Sequence, residues 1–468
     1  MEMLGRLADF VWNPWLLGLF LLTGLVYSLG SGFFQLFHVR LWLKATLGSL
    51  LHREAGRRGG GLSSLQALAT ALASTMGTGS IAGVATALTL GGPGAVFWMW
   101  VSAFLGMMTG CGEKLLAVRY QRSAPGGGLQ GGPMFYLRDG VGSLFLAGWF
   151  TLACLPATLV GGNLVQSSSI ALSLEAAFGL ERVWVGVVTT LLAGLVMVGG
   201  IGRIAKVSSA LVPAMALLYL GSGALVLASN WRASTEAVEL IFTCALSPSA
   251  ALGGGAGWTV ASALRYGVAR GVFTNEAGLG TSAMAHGAAQ VDHPARQGMW
   301  GVFEVFLSTL VVCTVTALTI LVSGVWEPAN PSMLTGAPLT AAAFGSVLGR
   351  AGEGVVALSL LLFAFSSILG WSYYGQQCLR YLSGGDRLLP AYRTVFLACT
   401  LAGALWEPGA IWLLVDLSNA LMALPNLAAL LLLAPEALST LRQWTELRHA
   451  NLTSILPFHQ RKPHHDML

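Results

Sequence analysis

The sequence contains very little charge. Asp, Glu, Lys and Arg make up 10% of its 468 residues, whereas hydrophobic residues make up 55%. Soluble domains carry about 25% charged residues, so this composition excludes an ordinary soluble protein. The net charge of +5 does not indicate nucleic-acid binding, because the basic residues are distributed among the short segments between apolar runs.

Several catalytic and nucleotide-binding patterns are also absent. The six cysteines are scattered with no CxxC pair, which predicts small apolar side chains in helices instead of disulfides or metal ligands. The sequence has no GxxxxGK[ST] phosphate loop and no HExxH pair, which an ATP-driven pump or a zinc enzyme would need. We therefore expect neither an enzyme nor a primary pump. A channel remains an alternative, and saturable, gradient-coupled uptake would distinguish a transporter from it.

Long runs without charge predict a polytopic, all-α membrane protein. A span needs about 20 apolar residues, and the first run is too long for a cleaved signal peptide, which predicts a retained helix. The segment 38–50 places Leu43, Leu47 and Leu50 on one helical face, which predicts an interfacial helix that turns toward lipid. The runs accommodate about eleven spans, at 10–36, 64–90, 93–119, 144–176, 183–200, 203–229, 258–285, 298–324, 352–382, 391–407 and 410–434.

The distribution of Lys and Arg predicts the orientation of these spans. If the N-terminus is external, most basic residues fall in internal segments, and the exceptions are Arg6, Arg182, Arg232 and Arg350. This positive-inside bias predicts a multi-pass protein of the cell inner (plasma) membrane with a cytoplasmic C-terminus. The connections 232–257 and 327–349 are rich in Gly, Pro and Ala and are predicted to be external caps or gates. The tail from Glu436 is predicted to form a short helix followed by disorder.

Two predicted spans are interrupted by glycine and polar residues. The stretch "ATALASTMGTGSIAGVATALTLGGPG" (69–94) is interrupted at 77–80, and "WTVASALRYGVARGVFTNEAGLGTSAMAHGAA" (258–289) is interrupted at 274–280. Glycine is a poor helix former, especially in the middle of a helix. The interruptions lie about 200 residues apart with five spans from one to the next, which predicts two inverted repeats with a binding site at the bilayer midplane.

An unwound turn within a membrane leaves backbone groups without hydrogen bonds, unless something polar replaces them. The N-terminal end of a half-helix suits a carboxylate, and a C-terminal end suits a small cation such as Na⁺. An alternative is that the glycines only allow close helix packing, as in Gly79-x-x-x-Gly83 and Gly267-x-x-x-Gly271. Packing does not require the Asn275-Glu276 pair inside a span, so we favour binding for the interruptions themselves.

Several blocks of the sequence resemble signature blocks of the alanine/glycine:cation symporter family, of the sodium:alanine symporter type. They are "GTGSIAGVATALTLGGPGAVFWMW", "GGPMFYL", "GGNLVQSSSIA", "RGVFTNEAGLG" and "GWSYYG", and the resemblance covers about residues 10–440. It implies a LeuT-type 5+5 inverted repeat plus one N-terminal helix. The implied divisions are an N-terminal and linker segment at 1–60, a first repeat at 61–230, a second repeat at 231–435 and a cytoplasmic tail at 436–468.

The resemblance also implies roles for individual residues. The Thr78 and Gly79 amides would hold the substrate carboxylate, Phe273 would be an aromatic lid, and Trp371 would leave room only for a small side chain. The full set implied for substrate binding is Thr78, Gly79, Asn163, Gln166, Phe273, Asn275, Ile368 and Trp371. One sodium site would use the carbonyls of Ala73, Met76 and Phe363 and the hydroxyls of Ser366 and Ser367; a second would use Thr75, Ser80 and Thr274.

Two positions depart from the family pattern. Ser80 stands where the family has Asn, and Ser308 stands where it has Asp, so two hydroxyls replace stronger cation ligands near the second sodium site. For Ser366 and Ser367 the alternative is hydrogen bonding to the preceding turn of their own helix.

Other ionisable residues within the spans were left with two interpretations. Glu276 and Glu304 are either a proton-sensitive pair or structural acids held by backbone amides and Arg270. Arg265 and Arg270 are candidates for gate ion pairs, and Asp416 is a candidate partner for an arginine or a helix cap.

The resemblance implies a secondary symporter. It would couple inward sodium flux to the uptake of a small neutral amino acid, alanine or glycine, by alternating access. The alternative is a LeuT-fold symporter for another small solute, or one that is proton-coupled in place of sodium. The implied partners are the amino acid, sodium and the lipid bilayer, with no cofactor, no other metal, no nucleic acid and no obligate protein partner.

Overall fold

A computed structural model describes residues 12–50, 62–124, 127–246, 259–326, 334–406 and 408–453. This part of the chain is mostly helical. Its strands are β1 (Arg122–Ser123) and β2 (Leu129–Gln130), which pair antiparallel. Six helices are long and apolar enough to cross a membrane: Gly94–Arg119, Leu144–Phe178, Gly200–Ser229, Pro294–Val322, Arg350–Ser383 and Leu414–Leu432.

The helices follow one another with short connections. The first half contains α1 (Pro14–Gly30), α2 (Ser64–Thr75), α3 (Ala82–Gly91), α4 (Gly94–Arg119), α5 (Leu144–Phe178), α6 (Arg182–Val198), α7 (Gly200–Ser229) and α8 (Trp231–Leu246). The second half contains α9 (Val260–Asn275), α10 (Ala283–His286), α11 (Pro294–Val322), α12 (Gly336–Leu348), α13 (Arg350–Ser383), α14 (Leu389–Leu405), α15 (Pro408–Leu432) and α16 (Ala434–Thr453). Short helical turns lie at Phe34–Phe37, Val39–Ala45, Leu47–Leu50, Thr78–Ser80, Pro133–Phe135 and Tyr136–Gly140.

Every predicted span contains a helix, but two predicted connections are wrong. The segment predicted as a connection at 232–257 contains α8, whose Ala237, Ile241 and Cys244 form one buried stripe. Gly94 of α4 comes so close that a Cβ there would lie 2.4 Å from the Cys244 carbonyl oxygen. The segment predicted at 327–349 contains α12, which packs on α3 and α13. Glu236 and Glu239 shorten the apolar run of α8, so the sequence concealed this helix.

The helices pack into two groups that meet at the interruptions. In the first group, α4 lies against α9 and α11. In the second, α5 packs against α13 and α14, and α6 packs against α14. α5 contains a π-helical turn at Val160–Leu164, and α11 contains a π-helical stretch at Phe306–Cys313. Such turns are found most often at functional sites.

The leading helix α1 is bound to the body of the protein. Trp12, just before it, donates from Nε1 to the Asp416 carbonyl oxygen over 2.8 Å. Near its other end, the hydroxyl of the buried Tyr27 donates to the Leu430 carbonyl oxygen over 2.9 Å. Both acceptors belong to α15, so α1 is fixed along the length of that helix.

The segment predicted to be interfacial is helical in two pieces, Val39–Ala45 and Leu47–Leu50, separated at Thr46. Of its predicted apolar face, Leu47 is exposed and Leu43 is half-buried, while the Leu50 side chain lies outside the described residues. Trp42 points the other way. It is buried with its ring 5.6 Å from that of Phe306, so one face of this segment packs on the protein.

Candidate functional site

The first interruption lies between α2 and α3 and is fully buried. The α-helical hydrogen bonding of α2 ends at Met76, whose N–H donates to the Leu72 carbonyl. Gly77 is extended, with φ −102° and ψ −155°, and residues Thr78–Ser80 form a single 3₁₀ turn before α3. The interruption predicted at 77–80 is therefore confirmed.

The second interruption lies between α9 and α10. Glu276 ends α9 in the left-handed conformation at φ 55°, and Gly278 and Gly280 follow at φ 94° and 79°. Residues with side chains rarely adopt such angles, so glycine is required at both positions. Space is also limited there, since a Cβ at Gly278 would lie 2.5 Å from the Phe20 ring. This interruption too is confirmed.

The two interruptions touch each other at Gly79. A Cβ at this position would lie 2.9 Å from the Phe273 ring and 3.0 Å from Thr274 Oγ1. The structure thus brings together three of the residues predicted to surround the substrate and ion.

Gln166 reaches the first interruption from α5. Its Oε1 accepts a hydrogen bond from the Thr78 N–H over 3.2 Å, and its Nε2 donates to the Gly161 carbonyl oxygen over 3.1 Å. The amide that was predicted to hold a substrate carboxylate is therefore satisfied by a neutral side-chain oxygen. A carboxylate is a stronger acceptor than an amide oxygen, so it can take the place of Gln166 at this N–H.

Trp371 of α13 forms one side of the same region. It is 5% exposed, and α5 approaches so closely that a Cβ at Gly162 would lie 2.3 Å from Trp371 Cγ. Ile368 lies one turn before it and is fully buried. The ring therefore lies directly against the "GGNLVQ" segment, as a wall that restricts the size of a bound side chain would.

Two residues predicted to bind substrate have their polar groups engaged elsewhere. Asn163 donates from Nδ2 to the Phe396 carbonyl oxygen over 2.6 Å and accepts at Oδ1 from the Thr400 hydroxyl over 2.9 Å. Asn163 therefore connects α5 to α14 and does not face the interruption. Asn275 accepts from the Ala277 N–H over 3.0 Å and donates to Thr309 Oγ1 over 3.2 Å, so it supports its own interruption.

The oxygens predicted for the first sodium site lie close together. Ser366 Oγ is 3.0 Å from the Ala73 carbonyl oxygen and 2.9 Å from the Phe363 carbonyl oxygen. Ser367 Oγ is 3.1 Å from the Ala73 carbonyl oxygen, and a Cβ at Gly77 would lie 2.5 Å from it. Ser366 thus contacts the preceding turn of α13, as the alternative interpretation expected, but both serines also reach across to α2. Met76, the remaining predicted ligand, is buried where α2 ends.

The residues predicted for the second sodium site are less well gathered. The hydroxyls of Thr75 and Thr274 donate to carbonyls of their own helices, Ala71 over 3.1 Å and Arg270 over 2.9 Å. The Ser80 and Thr78 hydroxyls are buried, and no hydrogen bond of normal geometry joins them to the described part of the chain. Buried hydroxyls without partners are uncommon and often mark a place for a ligand or water.

Sequence reasoning missed Cys313, whose thiol faces the hydroxyls of Ser80 and Thr274. The cysteine was interpreted as an apolar filler, and only its position in a polar "CTVT" segment could have suggested otherwise. Ser308, at the other departure from the family pattern, lies in the same π-helical stretch. Its hydroxyl makes one long contact of 3.5 Å with the Val305 carbonyl oxygen.

An aromatic and charged cluster covers Phe273. The Phe273 and Trp412 rings meet edge to face at 5.3 Å between centroids. The Arg270 guanidinium carbon lies 5.0 Å from the centre of the Trp412 ring. Arg270 Nη1 is also 3.5 Å from Asp416 Oδ1. Arg270 therefore pairs with Asp416, one of the two roles expected for that aspartate, and not with Glu276 or Glu304.

A fully buried charged network lies beside the second interruption. Lys114 Nζ is 3.2 Å from Glu113 Oε2 and 3.6 Å from Glu304 Oε2, and all three side chains are 0% exposed. His286 Nε2 is 3.3 Å from the same oxygen of Glu304. The partner of Glu304 is thus Lys114, not Arg270 as one interpretation expected. Sequence reasoning missed Glu113 and Lys114, although an adjacent charged pair inside a predicted span was a usable signal.

Comparisons with known proteins agree with this architecture. A solved manganese transporter of Eremococcus coleocola superposes with a TM-score of 0.51 at 17% sequence identity, covering 81% of this chain and 78% of that one. That likeness concerns the fold alone. Together, the helical fold and the paired interruptions define a polytopic membrane transporter. Residues 1–456 match the sodium:alanine symporter family model, and the chain belongs to that family.

Curated relatives cover almost the whole chain. The sodium/alanine symporter AgcS of Methanococcus maripaludis is 39% identical over 96% of this chain and 98% of its own length. An uncharacterized transporter of Haemophilus influenzae is 42% identical over 92% of this chain and 93% of its own. A putative sodium/proton-dependent alanine carrier protein of Bacillus subtilis, YrbD, is 34% identical over 96% of this chain and 95% of its own.

Proposed function

We propose that the protein couples sodium entry to the uptake of a small neutral amino acid, alanine or glycine, by alternating access. One observation carries this proposal: the first interruption places an amide donor and an oxygen cluster on either side of Gly77. On one side, the Thr78 N–H is held by Gln166 Oε1 over 3.2 Å. On the other, Ser366 and Ser367 lie 3.0 and 3.1 Å from the Ala73 carbonyl oxygen.

These two halves suit the two charges of the transported species. The substrate carboxylate takes the Thr78 and Gly79 N–H groups at the start of the second half-helix, where the helix dipole favours negative charge. Gln166 moves aside and Trp371 limits the size of the side chain. Sodium takes the Ala73, Met76 and Phe363 carbonyls and the Ser366 and Ser367 hydroxyls, because a hard cation prefers oxygen ligands. The opposite charges stabilise each other across Gly77, and this coupling requires both to bind together.

We further propose that the helices form a 5+5 inverted repeat, with the repeats at 61–230 and 231–435 after one leading helix. In this arrangement the N-terminus is external and Phe273 closes the external entrance. The contacts of Phe273 and Arg270 with Trp412 and the pairing of Arg270 with Asp416 support such a lid. Opening the lid separates α9 from α15.

Uptake into liposomes tests the function. Purified protein should accumulate labelled alanine or glycine when sodium is imposed outside, with saturable kinetics and no accumulation under an equal potassium gradient. A panel of small amino acids, with the sodium and proton gradients imposed separately, identifies substrate and ion. No uptake of any panel member under either gradient would contradict the proposal.

A second candidate is proton coupling in place of sodium. It is favoured by the buried network of Glu113, Glu276, Glu304 and Lys114, which has more carboxylates than cations among the described residues. Burying net charge is costly, so such a network favours retaining a proton. The name of the Bacillus subtilis relative also mentions both ions. Uptake driven by a proton gradient without sodium would select this candidate.

The two departures from the family pattern predict a weakened second sodium site. Replacing Ser80→Asn together with Ser308→Asp supplies an amide oxygen and a carboxylate, which are better ligands for a hard cation than hydroxyls. We expect the double variant to take up alanine with a lower half-saturating sodium concentration or with more sodium per alanine. Sodium titration and isotope flux ratios measure these two quantities. If both stay at the native values, the two serines do not limit sodium binding.

A further inference from the structure

A carboxylate of the protein itself occupies the second interruption. Glu113 belongs to α4 and is 0% exposed. Its Oε1 accepts from the N–H groups of Gly278 and Gly280, over 2.9 and 3.0 Å, and from Asn426 Nδ2 over 2.7 Å. A single oxygen therefore replaces the hydrogen bonds that the unwound turn would otherwise lack.

Neighbouring helices hold this carboxylate in place from several sides. Its other oxygen, Oε2, is 3.2 Å from Lys114 Nζ, which also approaches Glu304 of α11. Asn426 of α15 donates from Nδ2 to the Gly278 carbonyl oxygen over 2.9 Å, while its Oδ1 accepts from the Tyr136 hydroxyl. The turn is therefore bound to α4 and α15 through side chains that are all buried.

The two interruptions are filled in different ways. In the first, a neutral amide oxygen of Gln166 accepts from one backbone N–H. In the second, an acidic oxygen of Glu113 accepts from two backbone N–H groups and one side-chain N–H. A hydrogen bond to an ionised acceptor is about twice as strong as one between neutral groups. An incoming carboxylate can displace Gln166, whereas at the second interruption it would meet a negative group already in place.

We propose that Glu113 is a positioning residue for transport: as a resident carboxylate it fixes the second interruption, and Lys114 keeps it ionised. Phe273 and Thr274 come directly before this turn and contact Gly79 of the first interruption. The shape of residues 276–281 thereby sets where the lid and the Thr274 hydroxyl lie. The inference depends on the proposed function only in taking Phe273 and Thr274 as parts of the transport site.

A set of isosteric variants tests this role. Glu113→Gln keeps an oxygen for the two glycine N–H groups but turns an N–H₂ group toward Lys114. Lys114→Met leaves Glu113 and Glu304 without their shared cation. The double variant Glu113→Gln/Lys114→Met removes both charges and retains the accepting oxygen. Matched controls are Glu239→Gln and Lys206→Met, which change the same residue types at exposed positions of α8 and α7.

Two measurements are made on each purified, correctly folded protein. Hydrogen exchange followed by mass spectrometry reports the opening of residues 276–284, and liposome uptake reports the KM for alanine. We expect each single variant to exchange at least tenfold faster in this segment and to raise the KM at least tenfold. The double variant should return the KM to within threefold of the native value, because no charge is left without a partner. The controls should match the native protein.

The outcomes separate positioning from general stability. A single variant that lowers the melting temperature but keeps the native KM would show a purely structural role and overturn the proposal. So would a double variant that is as impaired as the two singles combined. If the native protein carries no alanine, the proposed function fails, yet exchange still decides this inference: faster exchange in the singles with recovery in the double supports it, and unchanged exchange overturns it.

Discussion

Replacing Gln166 with glutamate is expected to weaken alanine binding about a thousandfold. The new carboxylate would accept from the Thr78 N–H where Gln166 Oε1 does now, over 3.2 Å. A second carboxylate arriving within about 4 Å meets a repulsion of about 4 kcal/mol at the effective dielectric constant near 20 that suits proteins. Each 1.4 kcal/mol corresponds to about a factor of ten in affinity, which gives the expected loss.

Binding of labelled alanine and initial uptake rates measure this effect directly. Gln443→Glu is the matched control, because it makes the same change on the exposed face of α16. That variant should bind and transport like the native protein. A Gln166→Glu variant with a KM within threefold of native would mean that the carboxylate does not bind at Thr78, and the placement of the substrate would have to be abandoned.

Removing both hydroxyls of the Ser366–Ser367 pair is expected to weaken sodium binding at least a hundredfold. Each hydroxyl lies within 3.1 Å of the Ala73 carbonyl oxygen. A hydrogen-bonding partner of a charged group contributes about 1.5–3 kcal/mol, and a cation ligand should contribute a similar amount. Two such losses in the Ser366→Ala/Ser367→Ala variant exceed what a usual sodium gradient can overcome, so sodium-driven uptake should disappear at physiological concentrations.

The half-saturating sodium concentration for alanine uptake is the quantity to measure. Ser359→Ala is the control, since Ser359 is also a fully buried serine of α13 but lies about two turns away from the pair. Its sodium dependence should be native. If the double variant instead keeps the native sodium dependence, the two hydroxyls serve only to bond carbonyls within the helices, and the ion must bind elsewhere.

The interruptions could be predicted from sequence because they break a strong local rule. Glycines at 77, 79, 278 and 280 sit among polar residues in otherwise apolar spans, and no packing need explains an acid beside them. The direction of a side chain was harder to predict. Asn163 and Gln166 are three residues apart and would share a face of a regular helix. The π-helical turn at Val160–Leu164 alters that spacing, and Asn163 faces α14 instead.

Long-range partners account for the other differences. Glu113 accepts from residues more than 160 positions later in the chain, Gly278 and Gly280, and nothing in the local "CGEKLL" sequence specifies them. The helices α8 and α12 were hidden for a related reason. Their buried faces are completed by α4, α11 and α13, so neither needs a continuous apolar sequence of its own.

The attachment of α1 to α15 has a mechanical consequence. Trp12 is bound to the backbone of Asp416, the residue whose side chain pairs with Arg270 above the Phe273 ring. Any swing of α15 that lifts this cover must either carry the leading helix with it or break the indole bond. The opening segment of the polypeptide is thereby a travelling part of the door frame, and its stiffness contributes to how readily the vestibule admits solute.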